Sequence, residues 1–364
     1  MSLTLENLSR EVDGVTYIDN ASLTFEAGSF NVLLGRTLAG KTSLMRLMAG
    51  LDKPTSGRLL YKGKDVTGQS VQRRNISMIY QQFINYPNLT VYENIASPLR
   101  LAKVASGEID RRVKETASML QIEPLLKRYP LELSGGQQQR TAMARALVKD
   151  STLILFDEPL VNLDYKLREE LRAELRHLFR ERQCIAVYAT TEANEALALG
   201  GTTTLLHEGS IIQNGPVMDV YRAPVNTLAA QLFSEPPMNM IRGRVTDTEV
   251  TFDEYSHHAL SGELSVLTPG EYWFGIRPSH IGLVPASDED LEMTMEIELT
   301  EISGSETFMH VKNRHFEMVL QLMGVHSYHI GVSLKVYLPI NKLFVFDHNE
   351  QLVHTPAVTS RGAA

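Results

Sequence analysis

The chain has 364 residues, of which 43% are hydrophobic and 21% charged, a composition that excludes global disorder and supplies apolar material for two domains. Its 43 acidic and 35 basic residues give a net charge of -8, which excludes the overall basic field of a nucleic-acid binder. The single cysteine, Cys184, excludes an internal disulfide, and its setting in Cys184-Ile185-Ala186-Val187-Tyr188 reads as a buried strand thiol. The opening Met1-Ser2-Leu3-Thr4-Leu5-Glu6 lacks the charged and apolar regions of a secretory signal. No stretch reaches the roughly 18 uninterrupted apolar residues of a membrane span, so service to a membrane process implies docking from the cytoplasm.

Along the chain, the apolar run Phe30 to Leu34 reads as a buried strand leading into Gly35-Arg36-Thr37-Leu38-Ala39-Gly40-Lys41-Thr42-Ser43. Its first eight residues fit G-x-x-x-x-G-K-[ST], and Leu44, Leu47 and Met48 continue as a helix, the setting of a phosphate-binding loop. Loop amides and the helix N-terminus offer donors and positive dipole to phosphate oxygens, with Lys41 reaching the β/γ-phosphates and Thr42 a bound Mg²⁺. Ile76 to Tyr80 is a second buried strand, followed by Gln81. In Leu133-Ser134-Gly135-Gly136-Gln137-Gln138-Gln139-Arg140 a serine and two glycines precede the periodic stretch Ala142 to Leu147, which predicts a capped helix with amides open to an anion. Leu153 to Phe156 is a third strand that ends in Asp157-Glu158-Pro159. Leu167, Leu171, Leu175 and Leu178 predict a surface helix packed on the sheet, and Ile185 to Ala189 a fourth strand before Thr190-Thr191-Glu192. Strands alternating with helices make this an α/β layer structure.

Near Ser234-Glu235-Pro236-Pro237-Met238-Asn239 the pattern changes, and paired prolines suit a boundary because they do not continue a helix. Beyond it, Met293, Met295, Ile297 and Leu299 alternate with polar residues, as do Val332, Leu334, Val336 and Leu338. The expected division is 1–235, an α/β nucleotide-binding domain; 236–355, a small all-β barrel; and 356–364, a frayed tail.

Together these segments resemble the ATP-binding cassette of ABC transporters, a P-loop NTPase fold. Leu133 to Arg140 resembles the family signature, and Leu153 to Pro159 its Walker B strand. The resemblance makes Asp157 the residue that holds Mg²⁺ through water, with Glu158 where a general base must lie to orient and polarise attacking water. Asn162-Leu163-Asp164 resembles the D-loop, with Val161 in place of a small serine, and Gln81 the Q-loop glutamine, a neutral Mg²⁺ ligand able to sense γ-phosphate. Gln81 to Ile95, Pro236-Pro237-Met238-Asn239 and Gly275-Ile276-Arg277-Pro278 are similar to sugar- and polyol-importer ATPases with an OB-like (TOBE-like) regulatory barrel. The resemblance implies ATP hydrolysis at the inner face of the plasma membrane, with Lys41, Glu158 and Gln81 catalytic. ATP would contact Gly35 to Ser43 and Thr191, and across a dimer Ser134, Gly135, Gly136 and Gln137, with Mg²⁺ on Thr42, Gln81 and Asp157. The implied partners are two membrane permeases, each inserting a short helix near the Q-loop, a substrate-binding protein acting indirectly, and a second ATPase chain.

The sequence departs from that family at informative positions. Leu38 stands where glycine is common, and if φ is positive there leucine costs about 1–2 kcal/mol. Val12 falls where an aromatic usually stacks on adenine, with Tyr17 as the other candidate. Thr191 replaces the switch histidine and carries no positive charge. These departures favour a partner that is a paralogue rather than a second copy, and a regulatory nucleotide-binding chain with little hydrolysis is the alternative. The Gly35 to Ala39 loop combined with Thr191 is similar to ATPases of bacterial glycerol importers.

Overall fold

The computed structural model describes residues 2–160, 165–181, 184–252 and 257–356. Val161, Asn162-Leu163-Asp164 and the tail beyond Pro356 lie outside them. The chain divides into two compact units, Met1–Val217 and Met218–Ala364.

The first unit opens with β1 (Ser2–Val12) and β2 (Val15–Glu26), then β3 (Phe30–Leu34), α1 (Lys41–Ala49), β4 (Ser56–Tyr61), β5 (Lys64–Asp65) and β6 (Ile76–Ile79). It continues through α2 (Val91–Leu101), α3 (Ser106–Met119), α4 (Gly135–Leu147), β7 (Leu153–Asp157), α5 (Tyr165–Glu181), β8 (Ile185–Thr190), α6 (Ala193–Leu199), β9 (Thr202–His207) and β10 (Ser210–Pro216). One sheet has the order β10-β9-β3-β8-β7-β6, and its five strands from β9 to β6 are parallel. Continuous apolar runs suit strands covered on both faces, and every residue of β7 and β8 is buried. The other sheet, β2-β1-β4-β5, is antiparallel. Its first hairpin turns on Asp13-Gly14, both at positive φ (52° and 78°), as a two-residue turn between twisted strands requires.

Leu44, Met45 and Met48 of α1 share a core with Leu5 and Phe25 of the antiparallel sheet and Leu155 and Val187 of the parallel one. Leu171 and Leu175 of α5 are buried as their spacing predicts. Phe179 meets Phe156 edge-on at 5.5 Å and Phe30 at 5.6 Å. Cys184 is buried immediately before β8. Register sets Leu34 beside Thr190 and Asp157 beside Ala189, so the C-terminal ends of β3, β7 and β8 lie along one edge. In open parallel sheets, ligands bind at that edge.

The second unit contains α7 (Val217–Arg222) from Met218 on, α8 (Thr227–Leu232), β11 (Asn239–Val245), β12 (Glu249–Thr251), β13 (His257–Ala259) and β14 (Gly270–Ile276). It ends with β15 (Leu291–Ser303), β16 (Glu306–Lys312), β17 (Glu317–Met323), β18 (Ser333–Leu338), β19 (Phe344–Phe346) and β20 (Leu352–His354). Two antiparallel sheets, β13-β12-β11-β14-β19-β20 and β17-β16-β15-β18, enclose one core in which Ile241 and Phe274 meet Met293, Ile297 and Val336. This is the barrel-like β architecture expected. The alternation stops early on β15: an irregularity between Ile297 and Leu299 turns Leu299 outward, to 42% exposure, because an extra residue inverts the faces that follow. Residues from Met218 onward pack into this unit. Arg277 is stacked by Tyr221 and Phe344 and donates to the Tyr221 carbonyl at 2.6 Å, while Thr227 N donates to Glu350 O at 3.1 Å. Pro236 and Pro237 stand between α8 and β11.

Candidate active site

The loop after β3 is shaped by close backbone approaches. A Cβ on Gly35 would lie 2.4 Å from the Leu206 carbonyl, and one on Gly40 would lie 2.9 Å from that of Tyr17, at φ 101°. Leu38 has φ 67° and is 93% exposed, so the positive-φ condition holds and leucine gains no burial in return. α1 begins at Lys41, whose Nζ donates to the Gly35 carbonyl at 2.8 Å and to that of Arg36 at 3.2 Å. Lys41 is buried and lies 3.3 Å from Glu158 Oε1. Burial lowers its pKa, and the neighbouring Glu158 and Asp157 carboxylates oppose that shift.

The end of β7 supplies the acids. Thr42 Oγ1 donates to Asp157 at 2.9–3.0 Å. Burial is the largest cause raising the Asp157 pKa, assisted by the charge of Glu158 and opposed by Thr42 and Lys41. Glu158 turns the chain at φ 48°, donates its N–H to the Ala189 carbonyl at 3.2 Å, and receives Gln81 Nε2 at 3.1 Å. Lys41, Thr42, Gln81, Asp157 and Glu158 thus form one cluster drawn from separate segments of the chain. Among the described residues no group of three or more His, Cys, Asp and Glu side chains is placed to hold a metal. A cation at the Thr42–Asp157 pair would combine hydroxyl and carboxylate oxygen with phosphate and water, the donor set of Mg²⁺.

The signature segment stands apart from this cluster. Ser134 caps α4 in a reciprocal box with Gln137: Gln137 N donates to Ser134 Oγ at 3.4 Å and Ser134 N to Gln137 Oε1 at 3.0 Å. Ser134 and Gly135 are exposed, and a Cβ on Gly135 would meet nothing within 4 Å. Deeper along α4, contacts run to the Q-loop and the end of β7. Asn85 Nδ2 donates to Gln138 O at 2.9 Å, Arg145 donates to Ile84 O at 2.6 Å and covers the Tyr86 ring, and Gln139 donates to the Pro159 carbonyl.

At the switch position Thr191 is exposed. Its neighbour Glu192 directs its carboxylate to Arg168 at 3.2 Å and Arg172 at 3.7 Å. Beneath lies a network that sequence reasoning missed. Buried Glu195 accepts from Tyr188 OH at 2.8 Å and Thr190 Oγ1 at 2.5 Å and pairs with Arg172 at 3.3 Å. Thr190 Oγ1 in turn accepts from Glu192 N at 3.0 Å. The available signal was Tyr188, a hydroxyl inside a buried strand that requires a partner. Val12 and Tyr17 are 37% and 46% exposed on the first hairpin, and the Tyr17 backbone abuts Gly40 and Gly209.

The chain is similar to known proteins over most of its length. The ABC transporter family model matches residues 18–161. The sn-glycerol-3-phosphate import ATP-binding protein of Escherichia coli is 35% identical over 95% of this chain and 97% of its own length. The trehalose/maltose import ATP-binding protein of Thermococcus litoralis is 36% identical over 92% of the chain and 94% of its own. The Fe(3+) ions import ATP-binding protein of Vibrio cholerae is 36% identical over 90% and 92%. A dimeric ATP-binding cassette solved in a post-hydrolysis state with ADP and Pi aligns with 59% of this chain and 98% of its own, at TM-score 0.54 and 28% identity. With near-complete coverage at this identity, the chain belongs to the ABC transporter family as one of its import ATP-binding proteins.

Proposed function

We propose that this chain hydrolyses Mg-ATP on the cytoplasmic face of the plasma membrane to drive uptake of a small carbohydrate or polyol, glycerol foremost, through two separate permease subunits. The cluster of Lys41, Thr42, Gln81, Asp157 and Glu158 carries the reading, because it sets a buried cation, an oxygen donor pair and a second carboxylate, held between Lys41 and Gln81, at the end of a phosphate loop. Lys41 and the amides of Gly35 to Ser43 bind phosphate oxygens. Thr42 and Asp157, with Gln81, would hold Mg²⁺, which when bound neutralises developing phosphate charge. Glu158, oriented by Gln81 and Lys41, accepts a hydrogen bond from the attacking water and draws off its proton. Ser134 to Gln137, at a helix N-terminus whose Ser134 and Gly135 are exposed, would complete the nucleotide site of a second ATPase chain, as dimeric cassettes among the solved neighbours suggest. A groove of about 400 Å³ beside the Q-loop, lined by Tyr86, Leu89, Glu93, Ser97, Arg100 and Leu101, offers the place for a permease helix.

The relatives carry a glycerol phosphate, a disaccharide and iron at nearly equal identity, so the sugar and polyol assignment rests on the resemblance of Gln81 to Ile95. A second reading, a regulatory chain with slow hydrolysis, is favoured by one observation. Thr191 is short, and Glu192, the next polar group, is engaged by Arg168 and Arg172. Both readings are separated by reconstituting the permeases with this ATPase alone and with a neighbouring paralogue. Coupled ATPase activity that needs the paralogue and falls in Lys41→Ala supports the motor in a heterodimer. Full activity from this chain alone, indifferent to Thr191→Ala, would overturn the paired arrangement, and activity indifferent to Lys41→Ala would overturn the motor itself.

A further inference from the structure

The second unit carries a cleft of about 500 Å³ on the outer face of its six-stranded sheet, built by strand register. β11 buries Ile241, Gly243 and Val245 and turns Arg242 and Arg244 outward. Antiparallel pairing with β14 sets Arg242 opposite Trp273 and Arg244 opposite Glu271. Arg244 meets Glu271 at 3.3 Å, so that pair is balanced in charge. Arg242 instead lies over the Trp273 ring, 4.7 Å from its centroid, with no carboxylate partner among the described residues. His315, from the turn between β16 and β17, and His348, from the turn between β19 and β20, line the same cleft and are exposed. Phe252 and Tyr272 form apolar walls, Tyr272 anchored by its hydroxyl to the Thr268 carbonyl at 2.9 Å.

Three features distinguish this surface from an ordinary solvated strand face. It contains the single tryptophan of the chain. Among the described residues it leaves a guanidinium without a counter-charge, in a protein of net charge -8. Its donors come from separate elements, and the one carboxylate among its described lining residues, Glu271, is already occupied by Arg244. We propose that the cleft binds a small phosphorylated metabolite, its phosphate held by Arg242 and the imidazole N–H groups of His315 and His348, its carbon skeleton resting on Trp273. A lone guanidinium fork satisfies a planar carboxylate. Donors arriving from a strand and two turns suit the terminal oxygens of a phosphate monoester better. Stacking on tryptophan also limits the rotamers Arg242 gives up on binding. Every residue involved belongs to the second unit, so the ligand need not displace ATP from the cluster at Lys41.

Because Trp273 is the sole tryptophan, its emission reports on this cleft alone. The full chain is titrated with glycerol 3-phosphate, glucose 6-phosphate, inorganic phosphate and glycerol, with phosphorus NMR line broadening as a second readout. A phosphate ester is expected to bind saturably with a Kd below about 1 mM, glycerol to give no response, and Arg242→Ala to weaken binding about tenfold or more. Arg244→Ala should change it less than about threefold, since that cation is already paired. An equal response to inorganic phosphate supports the phosphate site and assigns its ligand to free phosphate. The proposal is overturned if no phosphate compound binds by either readout, if Arg242→Ala binds unchanged, or if glycerol binds as tightly as its phosphate. None of these outcomes depends on ATP hydrolysis.

Discussion

Glu158 combines a left-handed backbone with a carboxylate suspended between Lys41 and Gln81. Replacing only its charge should leave nucleotide binding intact: Glu158→Gln is expected to trap ATP while turnover falls about 10²- to 10⁴-fold, read by steady-state hydrolysis and retained nucleotide. Leu38 poses a different problem, since its exposed side chain offsets none of its backbone strain. Relief of about 1–2 kcal/mol should exceed the extra unfolded-state freedom of glycine, about 0.5–1 kcal/mol, so Leu38→Gly is expected to raise the unfolding midpoint in urea. A lower midpoint would show that the strain at Leu38 is smaller than the unfolded-state freedom of glycine. Asp157 sets a pH dependence. Its folded pKa lies above the ordinary carboxylate value because of burial, so protonation stabilises the metal-free fold below the unfolded value of 3.8, and that contribution is lost as pH rises through the folded pKa. A cation needs the ionised form, so Mg²⁺ affinity measured by calorimetry should decline as pH falls toward that raised pKa, and Asp157→Asn should abolish the dependence along with most of the affinity.

At the scale of elements, α5 and the segment after β8 are tied by charge. Arg172 faces Glu169, Glu192 and the buried Glu195, so Arg172→Ala would strand the last of these without a counter-ion. The expected loss is about 3–5 kcal/mol in urea unfolding, and Glu195→Gln in the same background should recover part of it. This network also marks the limit of what the sequence discloses. β3, β7 and β8 were legible because strands buried on both faces read as unbroken apolar runs, Lys41 because its motif follows strand, loop and helix, and Asp157 and Glu158 because Leu153 to Pro159 resembles the family's Walker B strand. Glu195 resembled any surface acid near a helix start, since burial by α5 is a tertiary fact. Leu299 misled for the opposite reason: its alternation was regular, and the inserted residue that turns it outward leaves no mark in composition.

At the scale of the molecule, the proline pair suggested a boundary, yet Tyr221 and Phe233 meet edge-on at 5.5 Å ahead of it and Arg277 closes on Tyr221. A fragment 1–217 is therefore expected to remain more soluble than 1–233, which would carry Tyr221 and buried Phe233 stripped of their cover. Both should bind ATP if folded, measured by equilibrium dialysis, and a folded 1–217 fragment that fails to bind would refute the proposed division of labour. Composition could not locate this division, because residues 218–235 are helical in pattern and their allegiance is decided by packing on the β unit. The tether from Asn85 and Arg145 between the Q-loop and α4 has a further consequence. Gln81 touches this chain's own Glu158, whereas Ser134 at the head of α4 is proposed to serve the facing chain's nucleotide. In the proposed dimer, a push on one short loop would bear on two nucleotides on opposite sides, like a single key turned in two locks, and cutting the tether with Asn85→Ala and Arg145→Ala should let the two turnovers drift out of step.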